Sequence, residues 1–264
     1  MQRLACLLIL ALAGCATPPP KMTAGTKGPT VVFEAGSGNG ADVWNRVRLP
    51  QGVPRFAWTR AGSGAKAIAL GTPLWASDGD GKRTGAEVAA HLQAALDAAG
   101  AHPPYLLVAH SIGASYALTY AKLHPDRIAG IVLVDPRLPG FTERCKAEGL
   151  HGCEVPPLLL PLLSPAERVE LRGAPDTEAA LADLSALRDI PLTILVGTRR
   201  NLGEGPNWRR VWLDHAKDFA ARFSDARIVT VDSPHHIQLD EPDVVSREIR
   251  LRLTPGQPRP AARL

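Results

Sequence analysis

Residues 104–113 read Pro104-Tyr105-Leu106-Leu107-Val108-Ala109-His110-Ser111-Ile112-Gly113. Tyr105 to Ala109 is a short, continuously apolar run, which predicts a strand buried on both faces. Ile112 to Leu123 continues with small and apolar residues at helical spacing. Ser111 therefore stands at a sharp strand-to-helix turn. The pentapeptide Ala109-His110-Ser111-Ile112-Gly113 is G-x-S-x-G with Ala in place of the first Gly. Such a turn strains the serine backbone and crowds the residues two positions to either side, so both must be small. The hydroxyl then sits at a helix N-terminus, where backbone N–H groups face developing negative charge. Ser111 is a candidate nucleophile; the plainer alternative is a helix-capping serine.

The flanking sequence repeats the same alternation. Strands are expected over 30–34, 55–59, 128–134, 192–196 and 226–231, and helices over 87–99, 208–223 and 244–253. Short apolar runs between helical periods predict βαβ units, hence the α/β class with a mostly parallel sheet. Residues 136–190 interrupt the pattern and read as an inserted cap. Inside it, Val155-Pro156-Pro157-Leu158-Leu159-Leu160-Pro161-Leu162-Leu163 is an apolar run, expected to line a hydrophobic pocket or to fill the core of the cap. Ser164-Pro165-Ala166-Glu167 marks a helix start: a capping serine, proline at the first position and glutamate three after the cap.

Bulk properties bound the function. The chain has 264 residues, 45% of them hydrophobic, enough for one α/β domain. Its formal charge is +4, with no Lys/Arg run, so nucleic acid is not an expected partner. Residues 1–14 place Arg3 before an apolar run and then small residues, the layout of a secretory signal peptide. The run is too short to cross a bilayer core of about 30 Å. Leu12-Ala13-Gly14-Cys15 resembles a bacterial lipobox. That resemblance implies export, a lipid anchor on Cys15 and, with Ala16 next, the periplasmic side of the outer membrane. Residues 15–29 read as a tether, 30–253 as the folded domain and 254–264 as a loose tail. Cys145 and Cys153 are an even pair in an exported chain, with Gly149 and Gly152 between them, and are expected to form a disulfide.

No metal and no cofactor is expected. Asp78-Gly79-Asp80-Gly81 resembles the start of a calcium loop, but Lys82 holds the next ligand position, so the segment reads as a turn. The loop Ala35-Gly36-Ser37-Gly38 lacks the Lys and Ser/Thr of a phosphate-binding loop.

Three stretches together resemble the α/β-hydrolase superfamily across nearly all of residues 29–253. They are residues 104–113, Gly130-Ile131-Val132-Leu133-Val134-Asp135-Pro136 and Arg60-Ala61-Gly62-Ser63-Gly64. The resemblance implies a mostly parallel central sheet with helices on both faces, and a Ser–acid–His triad; it does not imply a substrate. It implies an oxyanion hole from the backbone N–H groups of Ser37 and Ile112, with Gly36 and His110 at the substrate pocket. Ala35 stands where the family usually has His, but the donor is a main-chain group. The base is implied after the last strand, at His235 in Ser233-Pro234-His235-His236, with Pro234 where Gly is usual. Most members carry the acid just after the strand that is here 192–196, where no Asp stands and Glu204 comes a few residues late. A minority take it from the end of the preceding strand, where Asp135 stands. Asp135 is favoured and Glu204 is the alternative. The implied activity is cleavage of a small-molecule carboxylic ester, or a related acyl bond, through an acyl-enzyme. The other reading is a catalytically inactive lipoprotein of this fold that only binds. Whether Asp135 or Glu204 reaches His235 discriminates the two.

Overall fold

A computed structural model describes residues 20–254. The signal segment, Cys15 and the tail beyond Thr254 lie outside the described residues. Strands β1 (Lys21–Thr23), β2 (Thr30–Glu34), β3 (Arg55–Ala57), β4 (Tyr105–His110), β5 (Ile128–Val134), β6 (Leu192–Gly197) and β7 (Ala226–Val231) form one sheet, in the order β1-β3-β2-β4-β5-β6-β7. Only β1 is antiparallel to its neighbour. The helices are α1 (Ala65–Leu70), α2 (Gly85–Ala98), α3 (Gly113–Leu123), α4 (Phe141–Ala147), α5 (Pro165–Ala180), α6 (Trp208–Ala220), α7 (Ile237–Asp240) and α8 (Pro242–Leu253).

The central strands are apolar throughout because both faces of the sheet are covered. Successive side chains point to opposite faces. Leu107, Ile131, Leu133 and Ile194 join one core with residues of α2, α3 and α6. Leu106, Val108, Val132, Val134 and Leu195 join the other with Val245 and Ile249 of α8 and with Trp44. This is the expected α/β architecture. Its consequence for the site is geometric: all parallel strands end at the same edge. Register places Glu34 beside Ala109, His110 beside Val134, Val134 beside Leu195 and Gly197 beside Val231. Whatever follows β2, β4, β5, β6 and β7 is therefore gathered there.

Several local expectations are corrected. Residues 21–23 are not tether but an edge strand, bonded to β3 through a register of three pairs, Lys21 with Ala57 to Thr23 with Arg55. β3 stops at Ala57 rather than at 59, because the Thr59 hydroxyl and the Arg60 guanidinium bond to the neighbouring loops. α2 begins two residues before Glu87, at Gly85, because Thr84 and Glu87 form a reciprocal capping box. The predicted box at Ser164 and Glu167 starts α5. Cys145 and Cys153 are bonded, with Cα atoms 5.7 Å apart. The apolar run of the cap forms a 3-10 turn, Pro157–Leu162, interrupted by Pro161. Its leucines do not line a pocket: Leu158 and Leu162 are 86% and 80% exposed. No helix among the described residues is long and apolar enough to cross a membrane.

The cap helix α5 lies directly on the segment before α2. A β-carbon on Gly173 would stand 2.1 Å from the carbonyl oxygen of Arg83. Gly173→Ala is expected to push α5 off this seat and to lower stability by about 1–3 kcal/mol, read from the urea denaturation midpoint.

Candidate active site

Ser111 occupies the turn between β4 and α3 with φ of 55°. A non-glycine residue there is strained, and the strain is held by bonds on both sides. The Ser111 amide donates to Val134 O at 3.2 Å, and Ser111 O accepts from Ala114 N and Arg137 N, both at 3.1 Å. Gly113 cannot be larger: a β-carbon would lie 2.4 Å from Ala35 O. Ala109, in place of the usual Gly, is fully buried and tolerated. Asp135, at the end of β5, is the second non-glycine residue with positive φ, at 41°. Among the described residues these are the two non-glycine residues with positive φ, and both reach His235.

The side chains meet in a chain. His235 Nε2 lies 3.0 Å from Ser111 Oγ, and His235 Nδ1 lies 2.6 Å from Asp135 Oδ2. The carboxylate beside Nδ1 holds the proton on that nitrogen, which leaves the Nε2 lone pair to accept from the serine hydroxyl. Asp135 is completely buried. Its oxygens also accept from Gly197 N at 2.9 Å, Trp212 Nε1 at 3.1 Å and Arg209 NH1 at 2.8 Å. The His235 ring is a quarter exposed. Its backbone N–H donates to Asn201 Oδ1 at 3.1 Å.

Glu204 does not touch His235. It accepts from Arg209 Nε and NH2, each at 2.9 Å, and from the amide and side chain of Asn201 at 2.8 and 2.6 Å. Arg209 thus stands between two carboxylates, Asp135 and Glu204. The sequence reading missed Arg209 and Trp212. They are three apart at the start of α6 and so share a face, but nothing in the residue types says that face meets Asp135.

Ser37 and Ile112 flank Ser111. A β-carbon on Gly36 would lie 3.1 Å from Ser111 Cβ, which puts the Ala35–Gly38 loop against the serine. Among the described residues, neither the Ser37 nor the Ile112 backbone N–H has an acceptor. Gly36 and His110, expected at a substrate pocket, are both buried: Gly36 lies within that loop, where a β-carbon would stand 2.7 Å from His110 Nδ1. His110 is 1% exposed and braces the base loop instead: its Nε2 lies 3.0 Å from His235 O, so that nitrogen carries the proton. Burial, and the neighbouring His235 and His236, hold His110 well below the ordinary histidine value. Asp78 accepts from Arg83 NH2 at 2.6 Å and from Arg83 Nε at 3.0 Å, and no group of three or more candidate metal ligands occurs among the described residues.

Residues 71–150 match the sequence profile of the family described as alpha/beta hydrolase fold. The chain is 26% identical over 228 residues to the uncharacterised protein YqjL of Bacillus subtilis, covering 84% of this chain and 82% of that one. An esterase from Thermogutta terrifontis superposes with a TM-score of 0.61 at 18% identity, over 91% of this chain and 97% of that one. A hydrolase from Pseudomonas aeruginosa superposes with a TM-score of 0.55 at 19% identity, over 89% and 93%. The chain has the α/β-hydrolase fold. Here the carboxylate within reach of the histidine stands after β5.

Two predictions follow from the buried charges. Arg209→Met leaves Asp135 and Glu204 without their shared cation, and should cost about 3–5 kcal/mol in denaturant-measured stability. Histidine burial sets the pH dependence. Burial lowers His110, and also His215 and His236, from the ordinary 6.5. Below 6.5 the unfolded chain takes up protons that the folded chain refuses. Stability is therefore full above 6.5 and declines as pH falls, by up to about 1.4 kcal/mol per pH unit for the fully buried His110, while the partly exposed His215 and His236 add less in the same direction. Urea midpoints at pH 7.5 and 5.5 should show this decline, and His110→Asn should flatten it.

Proposed function

We propose that the chain is a serine hydrolase that cleaves a carboxylic ester or related acyl bond through an acyl-enzyme. The observation that carries this reading is the line from Asp135 Oδ2 to His235 Nδ1 at 2.6 Å and from His235 Nε2 to Ser111 Oγ at 3.0 Å. Support comes from two backbone N–H groups beside the serine, those of Ser37 and Ile112, which have no acceptor among the described residues.

The steps follow from those positions. His235 takes the hydroxyl proton at Nε2 as Ser111 Oγ attacks the acyl carbon. Asp135, on the other ring nitrogen, stabilises the imidazolium and keeps the ring in its tautomer. The amides of Ser37 and Ile112 donate to the oxyanion. The imidazolium then protonates the leaving oxygen, and the acyl group stays on Ser111. Water, deprotonated by His235, attacks the acyl carbon; a second oxyanion collapses and Ser111 recovers its proton. Glu204 acts at one remove, through Arg209 and through Asn201, which accepts the His235 backbone N–H.

On the sequence of residues 1–15 alone, we further propose export and lipid anchoring at Cys15, facing the periplasm from the outer membrane.

The test is labelling by a fluorophosphonate and hydrolysis of p-nitrophenyl butyrate. Wild type should label and turn over; Ser111→Ala should lose both. Asp135→Asn should lower kcat by about 10⁴-fold through the wrong histidine tautomer, with Glu204→Gln far less affected. A folded wild type that neither labels nor hydrolyses any ester would leave a binding protein on a hydrolase scaffold.

A further inference from the structure

A second buried charge system lies on the opposite side of Ser111. It joins Glu34 at the end of β2, Arg60 after β3, Asp78 and Arg83 before α2, and Glu170 in the cap helix α5. All five side chains are at most 3% exposed. Arg60 bonds Glu34 through NH1 and Glu170 Oε1 through Nε at 2.8 Å. Arg83 NH1 reaches the same Glu170 oxygen at 3.2 Å, and Asp78 Oδ2 accepts from Arg83 NH2 at 2.6 Å. Burial pushes Glu34 above the ordinary carboxylate value, and Arg60 offsets this only in part. Burial acts on Glu170 in the same direction, but Arg60 and Arg83 together outweigh it and hold Glu170 below that value. Three carboxylates share two guanidiniums, and Glu170 is the one that both cations serve.

This cluster holds the loop that carries the Ser37 amide. Arg60 NH1 donates to Ala35 O at 2.8 Å and Arg60 NH2 to Gly36 O at 2.9 Å. In a planar trans peptide the C=O of one residue and the N–H of the next point in opposite directions. With the Gly36 carbonyl tied to Arg60, the Ser37 N–H must point away from the charge cluster. The Ser37 hydroxyl is tied as well, donating to Glu170 Oε2 at 2.7 Å. One carboxylate, Glu170, therefore bonds both the guanidinium that sets the peptide plane and the side chain of the donor residue.

We propose that Glu170 is a positioning residue for the oxyanion donor Ser37, so that the cap, through α5, sets the geometry of the oxyanion hole; this rests on the hydrolase reading above. A displaced α5 withdraws Glu170, frees the Ser37 hydroxyl and loosens Arg60. The Gly36–Ser37 peptide then loses the bonds that fix its plane, and the hole is assembled only when the cap is seated.

The test uses the full chain and p-nitrophenyl butyrate. Glu170→Gln should lower kcat by about 10- to 100-fold, with KM changed less than about 3-fold. Inhibition by a trifluoromethyl ketone, whose adduct presents an oxyanion to the hole, should weaken by the same factor as kcat. Ser37→Ala keeps the backbone donor and both arginines, and should lower kcat by about 10-fold, again at nearly constant KM. In ¹⁵N-labelled protein, the Ser37 amide signal should move in Glu170→Gln while that of Ile112 stays. A folded Glu170→Gln with wild-type kcat, or with a loss confined to KM, overturns the proposal. If that variant does not fold, Ser37→Ala decides alone, and an unchanged kcat overturns it. A wild type that hydrolyses no ester defeats the hydrolase reading itself, and the Ser37 amide signal still decides the positioning.

Discussion

Asp135 has no exposed surface, and a carboxylate so placed must find its donors inside the protein. It finds them on three separate segments: Gly197 at the end of β6, Arg209 and Trp212 on α6, and His235 after β7. Each bond that satisfies the charge also fixes a distance. The carboxylate draws α6 onto the ends of β5 and β6, and it brings the His235 loop back over the sheet to Ser111. A peptide unit strained to positive φ at Asp135 is tolerated because these partners over-determine it. The placement of His235 follows from the requirement to neutralise a buried charge.

The same logic operates on the other flank of Ser111, with different partners. There the buried groups are two arginines and three acids, and what they hold is backbone rather than a ring. Arg60 gives four N–H bonds, to two carboxylates and two carbonyl oxygens. Guanidinium suits this position because its planar fork can serve several acceptors at once. The serine thus stands between two charge systems: one fixes the His235 ring beside its hydroxyl, and the other fixes the Ala35–Gly38 loop against it. Both are built on strand ends, and the second is completed by a residue of the inserted cap.

The elbow was legible from the chain because its demands are local. A strand, a sharp turn and the start of a helix fall within nine residues, 105–113, and Ala109 and Gly113 record the crowding directly. The capping box at Ser164 and the pairing of Cys145 with Cys153 are likewise short-range. The apolar run at 155–163 misled for a related reason. Hydrophobicity alone does not say which way side chains face, and three prolines in that run prevent the regular helix that would have buried one side. Lys21–Thr23 was read as tether because three residues carry too little periodicity to mark a strand; they are ordered by the unpaired edge of β3.

What the sequence by itself determined is the α/β alternation, the strand-to-helix turn at Ser111 and a short set of titratable residues near strand ends. Each is written in side-chain period or in spacing of a few residues. It left the acid open between Asp135 and Glu204, because which carboxylate reaches His235 depends on a contact made 100 residues apart in the chain, that of Asp135 with His235. Tertiary structure decided it by giving Glu204 to Arg209 and Asn201. It also placed Glu170 of the cap against Ser37, 133 residues away. Buried ions choose partners by position in space, and no local pattern records that choice.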